Sequence, residues 1–196
     1  MSVPLGVQAR SLPNLITYVR ILAVPLVMAI MQSPRPGASV TAAVVFSLAA
    51  LTDAVDGYLA RRLGLVSQIG KLLDPLADKL LVMGAMVMAA WLGQLSPWLV
   101  FLILAREMYV NGLRSVAAAE GLVMAAGASG KRKTAFQMVG LVALLVNDTH
   151  PVLGVSVDFH AVGVACLVIS VAFSLWSAGE YSWAFFRLVE ERARKG

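Results

Sequence analysis

Two acidic stretches lie at the facing ends of two apolar segments. The sequence DAVDGYLAR occupies residues 53–61 and closes the second apolar segment, and GKLLDPLAD occupies residues 70–78 and opens the third. Residues three or four positions apart share one face of a helix, and a short loop makes the two segments antiparallel. The spacing therefore predicts that four carboxylates converge at one depth, two from each helix: Asp53, Asp56, Asp74 and Asp78.

The composition around these stretches is that of a membrane protein. Of the 196 residues, 59% are hydrophobic and only 14% are charged, and the mean hydropathy is +0.80. Apolar runs of about 20 residues are long enough to cross the hydrocarbon core, and backbone groups in lipid pair best within helices. We expect an all-α polytopic membrane protein with six transmembrane helices, at approximately residues 15–31, 38–60, 72–93, 97–117, 134–149 and 160–180.

The basic residues predict the topology, because lysine and arginine concentrate in cytoplasmic loops. Only Arg35 falls in a loop on the other side. Both termini are therefore expected in the cytoplasm, and the acids at the cytoplasmic face of a cell inner membrane. Twelve basic residues lie at the N-terminus, in the even-numbered loops and in the tail: Arg10, Arg61, Arg62, Lys71, Arg114, Lys131, Arg132, Lys133, Arg187, Arg192, Arg194 and Lys195.

We expect one integral-membrane domain over residues 1–196. It divides into a juxtamembrane segment (1–14), a six-helix bundle (15–182) and a basic cytoplasmic tail (183–196). The formal charge of +5 is spread between apolar segments, so it favours membrane orientation and anionic lipid over nucleic acid. Cys166 is the only cysteine, which excludes an intramolecular disulfide and a cysteine metal cluster.

The acids themselves predict a metal ion. A carboxylate at the centre of a membrane helix costs about 2.5–3.5 kcal/mol, so four require a compensating cation. Oxygen ligands without histidine or cysteine favour Mg²⁺ or Mn²⁺ over zinc. The interleaved small residues Gly57, Ala60 and Gly70 allow either close helix packing or the approach of a nucleotide to the backbone.

The same residues resemble the signature of the CDP-alcohol phosphotransferase family, D-x2-D-G-x2-A-R-x8-G-x3-D-x3-D. Eight fixed identities fall within the 26 residues from Asp53 to Asp78. Over roughly residues 11–140 the chain is most similar to the bacterial phosphatidylglycerophosphate synthase branch. That likeness rests on four further stretches: LPNLIT (12–17) with Arg20, DPLADK (74–79), Arg106-Glu107 with NGLRSVAA (111–118), and GKRKTAFQ (130–137).

The resemblance implies a reaction and a division of roles. CDP-diacylglycerol and sn-glycerol 3-phosphate would give phosphatidylglycerol phosphate and CMP, with the four aspartates binding one or two Mg²⁺ or Mn²⁺ ions. Asp78 would also act as the general base for the acceptor hydroxyl, and the protein would be a homodimer. Binding of CDP-diacylglycerol is expected at six residues: Gly57, Ala60, Arg61, Gly70, Asn14 and Thr17.

An acceptor with a phosphate needs cations of its own. Arg106 lies well inside the fourth apolar segment, where an arginine is costly unless it faces a polar cavity. Neighbouring side chains on a helix diverge, so we do not expect Arg106 to pair with Glu107. We expect Arg106 to bind the acceptor phosphate with Lys131, Lys133 and Arg114, although these three also fit simple topology charges.

Two alternatives remain open. The same fold and chemistry could serve another acceptor, as in a cardiolipin synthase, a phosphatidylinositol phosphate synthase or a phosphatidylserine synthase. A cation transporter with an acidic site belongs to a different class. Transporter sites lie near the membrane midplane and often in internal repeats, whereas these acids are expected at one face and the chain shows no repeat.

Overall fold

The structure is a computed structural model that describes residues 12–35, 37–63, 68–121, 128–152 and 154–194. Side chains at positions 12–13, 53–63, 68–72, 128–129 and 193 lie outside the description. The described chain forms six helices and one short β-hairpin. These elements are α1 (Leu12–Met31), α2 (Ala38–Leu63), α3 (Gln68–Trp91), α4 (Pro97–Ala119), α5 (Ala128–Val146), β1 (Thr149–Val152), β2 (Val155–Asp158) and α6 (Phe159–Ala193).

The all-α prediction is confirmed, and each predicted segment corresponds to one helix. The bounds of the fifth segment were wrong. Helix α5 begins at Ala128, six positions before the predicted 134, and it ends at Val146. Its early start puts the basic residues of the GKRK stretch (130–133) on a helix instead of in a turn.

The β-hairpin was not predicted. Strands β1 and β2 are antiparallel, with Thr149 opposite Asp158 and Val152 opposite Val155. Valine and threonine favour strands, and Gly154 adopts a φ of +84°, which a tight turn needs and glycine tolerates. The segment is too short and too polar to have shown an alternating apolar pattern in the sequence.

The last helix is longer than predicted, because α6 continues from Phe159 to Ala193 and includes most of the expected tail. No proline or glycine interrupts residues 180–193, and the Arg187 Nε–Glu191 Oε1 pair at 2.9 Å supports an exposed helical turn. At a rise of 1.5 Å per residue the helix is about 52 Å long, well beyond the hydrocarbon thickness of about 30 Å.

Two of the described helices are long and apolar enough to cross a membrane, over Asn14–Met31 in α1 and Phe159–Arg192 in α6. A shorter apolar stretch runs over Ala38–Thr52 in α2. Large apolar side chains are exposed on several helices, as expected where lipid replaces water. The tryptophans are among them, with exposed fractions from 69% to 77%: Trp91, Trp98, Trp176 and Trp183. These features indicate a membrane protein, while the count of six spans stays a prediction.

The interior is closely packed, especially between α5 and α6. Phe46, Leu141 and Leu167 are among the fully buried side chains of the core. A Cβ atom placed on Gly163 would lie 2.7 Å from the backbone nitrogen of Leu144, and one on Gly140 would lie 3.0 Å from the Cβ of Cys166. The two glycines therefore let α5 and α6 approach closely, as small residues do in membrane helices.

Candidate active site

The described acids lie in the first half of α3. Asp74 and Asp78 are one helical turn apart, and both are partly buried. Thr17 of α1 donates a hydrogen bond from Oγ1 to Oδ1 of Asp74 at 2.6 Å. Asp78 lines a small cavity of about 110 Å³ between α3, α4 and α5.

For the other predicted metal and nucleotide ligands the structure describes the backbone but not the side chains. These residues are Asp53, Asp56, Gly57, Ala60 and Arg61 near the end of α2, and Gly70 in the first turn of α3. The convergence of all four aspartates therefore stays a prediction.

A hard divalent cation fits what the described side chains offer. Asp74 and Asp78 supply only oxygen donors, the ligand type that Mg²⁺ and Mn²⁺ prefer. Among the described side chains no third Asp, Glu, His or Cys joins them to complete a ligand set. For the predicted cation, Asp53 and Asp56, substrate oxygens and water would supply the remaining ligands.

Three polar side chains of α1 point into the bundle. Asn14, Thr17 and Arg20 follow each other at intervals of three and are at most 1% exposed. Arg20 donates from Nε to the backbone oxygen of Ala49 in α2 at 3.2 Å. This face of α1 therefore joins α2 and α3 near the acids. Binding of CDP-diacylglycerol by Asn14 and Thr17 stays a prediction.

The four predicted acceptor-binding cations lie around one cavity. Its volume is about 500 Å³, and α4, α5 and α6 form its walls. Arg106 and Lys133 are buried, whereas Arg114 and Lys131 are exposed, so two cations lie deep and two lie at the mouth. The sequence placed these residues on different segments, and the fold brings them together.

Arg106 is anchored to α6. Its Nε donates to the backbone oxygen of Ser174 at 2.9 Å, and its Nη2 donates to Oγ of Ser177 at 2.9 Å. The prediction that Arg106 does not pair with Glu107 was wrong, because Nη1 of Arg106 lies 3.0 Å from Oε1 of Glu107. Adjacent side chains diverge at their Cβ atoms, but these two are long enough to converge again at their ends.

Glu107 also binds Lys133 of α5 through the same oxygen, Oε1. One carboxylate thus joins two cations whose side chains are only 7% and 8% exposed. Glu107 and Lys133 line both the large cavity and the small one that contains Asp78. Glu107 and Lys133 therefore lie where the predicted acceptor site borders the cavity of the predicted base, Asp78.

Sequence reasoning missed the contribution of α6. Besides Ser174 and Ser177, this helix supplies Tyr181, whose hydroxyl accepts a hydrogen bond from Nη2 of Arg114. The Arg114 guanidinium carbon also lies 4.7 Å from the centre of the Tyr181 ring. Positions 174, 177 and 181 are spaced by three and four, so they share one face of the helix. A polar face on an otherwise apolar helix is the sequence signal that could have indicated that α6 lines the cavity.

Comparison with known proteins shows which family the sequence matches. The family model described as CDP-alcohol phosphatidyltransferase matches residues 10–185. A CDP-diacylglycerol–glycerol-3-phosphate 3-phosphatidyltransferase from Bacillus subtilis is 39% identical over 88% of this chain and 95% of its own. A protein of the same name from Pseudomonas fluorescens is 37% identical over 94% of this chain and 95% of its own.

A third relative carries a different name. A CMP-forming cardiolipin synthase from rice (Oryza sativa) is 32% identical over 91% of this chain and 58% of its own. The two bacterial relatives exceed 30% identity over most of both chains, and the family model covers nearly all of this chain. The chain therefore belongs to the CDP-alcohol phosphatidyltransferase family.

Proposed function

We propose that the protein transfers the phosphatidyl group of CDP-diacylglycerol to sn-glycerol 3-phosphate, giving phosphatidylglycerol phosphate and CMP for phospholipid biosynthesis. The observation that carries this proposal is the cavity lined by Arg106, Arg114, Lys131 and Lys133, which meets the Asp78 cavity at the Glu107–Lys133 pair. We infer that an acceptor phosphate binds in the first cavity with its glycerol hydroxyls toward the second. The names of the two bacterial relatives support the same reaction.

The chemistry follows from the roles of these groups. The Asp78 carboxylate takes the proton of an acceptor hydroxyl, whose oxygen forms a bond to the phosphorus that carries diacylglycerol. The bond from that phosphorus to the bridging pyrophosphate oxygen breaks, and CMP leaves with the electron pair. Mg²⁺ or Mn²⁺ held by Asp53, Asp56 and Asp74, with Asp78 coordinating loosely, would stabilise the negative charge on the pyrophosphate oxygens. Gly57, Ala60, Arg61 and Gly70 would hold the nucleotide.

Arg106 is the residue best suited to orient the acceptor. Its three protein contacts fix the guanidinium plane, and a fixed planar fork recognises phosphate oxygens with little loss of entropy. Lys133 adds a second buried charge, while Arg114 and Lys131 attract the anion at the mouth.

The proposal includes six membrane spans, cytoplasmic termini, an active site at the cytoplasmic face of the inner membrane, and a homodimer. The bias of twelve basic residues against Arg35 supports this topology. Contacts between helix ends support a common face for the site, since Thr17 near the start of α1 reaches Asp74 near the start of α3.

The direct test is transfer of radiolabel from glycerol 3-phosphate into lipid by purified protein in detergent. We expect transfer that requires both CDP-diacylglycerol and Mg²⁺ or Mn²⁺, and that is lost in Asp74→Ala. Transfer that persists in EDTA or in Asp74→Ala would exclude the metal mechanism.

The rice relative favours a second candidate, a cardiolipin synthase activity with phosphatidylglycerol as the acceptor. An acceptor panel separates the two, because the phosphomonoester of glycerol 3-phosphate carries more charge than the phosphodiester of phosphatidylglycerol and should depend more strongly on the cation cavity. For that acceptor we expect Arg106→Ala to raise KM by about 10-fold or more, the effect of losing charge-assisted hydrogen bonds. Arg187→Ala, at an exposed position of α6, is the matched control. Incorporation of phosphatidylglycerol with little effect of Arg106→Ala would favour the cardiolipin reaction.

A further inference from the structure

The hydrogen bond between Thr17 and Asp74 connects two helices that are distant in sequence. Thr17 has no exposed surface, and its Oγ1 lies 2.6 Å from Oδ1 of Asp74, 57 residues away. In hydrocarbon surroundings any two polar groups gain by pairing, so the bond alone assigns no role. This bond differs from a general polar contact because Thr17 is the donor and its acceptor, Asp74, is a predicted metal ligand.

The Thr17 hydroxyl is held in place by its own helix and by packing. A β-branched side chain on a helix has few allowed χ1 rotamers, so the position of α1 largely sets the direction of Oγ1. Helices α1 and α3 also meet closely further along, where a Cβ on Gly84 would lie 2.7 Å from Cγ1 of Val24. The geometry at Thr17 and Asp74 is therefore set by helix packing as well as by the hydrogen bond.

An aspartate carboxylate is by contrast loosely fixed, because rotation about χ2 is broad. A carboxylate has about four lone-pair sites, and the bond from Thr17 takes one site on Oδ1. It fixes the plane of the group and leaves Oδ2 for another partner. Groups that hydrogen-bond to a metal ligand fix its orientation in this way, and their loss typically lowers metal affinity about 10–100-fold.

We propose that Thr17 is a positioning residue for the divalent cation: its hydroxyl orients the Asp74 carboxylate and thereby raises the affinity of the metal site. The inference rests on the proposed function in one respect, the assignment of Asp74 as a metal ligand. It differs from the sequence prediction, which gave Thr17 to CDP-diacylglycerol.

The test measures Mn²⁺ binding directly, by the electron paramagnetic resonance signal of free Mn²⁺ over purified protein in detergent without substrate. Thr17→Val keeps the size and branching of the side chain but removes the hydroxyl. Thr17→Ser keeps the hydroxyl. We expect Thr17→Val to weaken Mn²⁺ binding about 10–100-fold and Thr17→Ser to stay within about threefold of the unchanged protein.

The control is Thr41→Val, since Thr41 is exposed on α2 and its hydroxyl bonds to the backbone oxygen of Gly37. It should leave Mn²⁺ binding unchanged. If Thr17→Val does not fold, Thr17→Ala provides a second variant without the hydroxyl. In the transfer assay the loss should appear as a higher metal requirement, with KM for glycerol 3-phosphate unaltered.

Two results would overturn the inference. One is Mn²⁺ binding by Thr17→Val that equals that of the unchanged protein. The other is an equal loss in Thr17→Ser, which would point to packing instead of the hydroxyl. The expected Mn²⁺ pattern without any transfer to glycerol 3-phosphate would support the role of Thr17 and contradict the proposed reaction.

Discussion

The acid end of the molecule and the cation cavity are held together in opposite ways. At the acid end, which comprises Asp74 and Asp78 of α3 with the predicted ligands Asp53 and Asp56 of α2, the neutral hydroxyl of Thr17 donates to the Asp74 carboxylate. In the cavity, Arg106 and Lys133 share the carboxylate of Glu107, so part of their charge is already compensated. One region thus contains a carboxylate that accepts from a neutral donor, and the other contains two cations that share one carboxylate.

The two regions also differ in depth. The solvent exposure of the cations increases from the inside of the cavity to its mouth: Arg106 and Lys133 are buried, whereas Arg114 and Lys131 are exposed. Removing two unpaired cations from water is costly, and Glu107 offsets that cost at the buried level. The exposed pair needs no such partner, because water screens it.

The largest expected effect lies at the acid end. Asp78→Asn keeps the shape of the side chain but removes its basicity, so the transfer rate should fall about 10²–10⁴-fold. Mn²⁺ binding should change much less, since Asp78 is expected to coordinate only loosely. Single-turnover transfer and Mn²⁺ titration measure the two quantities. A loss of Mn²⁺ affinity as large as the loss of rate would make Asp78 chiefly a metal ligand.

The next effect concerns the buried charges of the cavity. Glu107→Gln leaves Arg106 and Lys133 without their shared carboxylate, which should lower the free energy of unfolding by about 3–5 kcal/mol. The matched control is Glu191→Gln, because Glu191 pairs with Arg187 on the exposed surface of α6 and such pairs contribute about 0.2–1 kcal/mol. Denaturant unfolding in detergent compares the variants. Equal shifts would mean that the cavity pair is no more important than a surface pair.

The smallest effect tests how far the cavity depends on helix packing. Gly163→Ala places a methyl group 2.7 Å from the backbone of Leu144, which should push α6 from α5 and cost about 1–3 kcal/mol. Gly179→Ala on the same helix meets no atom within 4 Å and should be neutral or stabilising by up to about 1 kcal/mol.

The same displacement should widen the cavity between α5 and α6, where a Cβ on Gly130 would lie 3.7 Å from Oγ of Ser177. We therefore expect KM for glycerol 3-phosphate to rise in Gly163→Ala and to stay unchanged in Gly179→Ala. Unchanged KM values in both would show that the cavity tolerates movement between these helices.

The signature residues that predict the acid end fall within 26 consecutive positions. Helix periodicity is a local property, so the pairing of Asp74 with Asp78 needed no knowledge of the fold. Thr17, which donates to Asp74, was predicted instead to bind CDP-diacylglycerol. The Thr17 hydroxyl reaches across 57 residues, and no local pattern encodes that distance.

The cation set was predicted from the cost of placing Arg106 in a membrane helix. The contacts of these cations with α6 were not predicted. Serine and tyrosine are tolerated in membrane helices and are uncharged, so their presence there indicates no particular role. The sequence argued against a pair between Arg106 and Glu107 because the Cβ atoms of adjacent helical residues diverge. The pair forms because both side chains are long and flexible and because Lys133 binds the same carboxylate oxygen. The hairpin and the length of α6 depend on short polar segments whose periodicity is weak.

The length of α6 has a mechanical consequence. Arg192 near its end donates to the backbone oxygen of Glu120 at 2.6 Å and pairs with Oε2 of the same residue at 3.1 Å. Ser174 and Ser177, about 25 Å earlier on the same rod, hold Arg106. The Arg106 and Arg192 contacts therefore connect α4 with α6 at two separate positions. A shift of one helix along the other by one turn would break both sets. Sliding of α6 along α4 is therefore opposed at both positions, and more strongly at the buried Arg106 contacts than at the exposed Arg192–Glu120 pair.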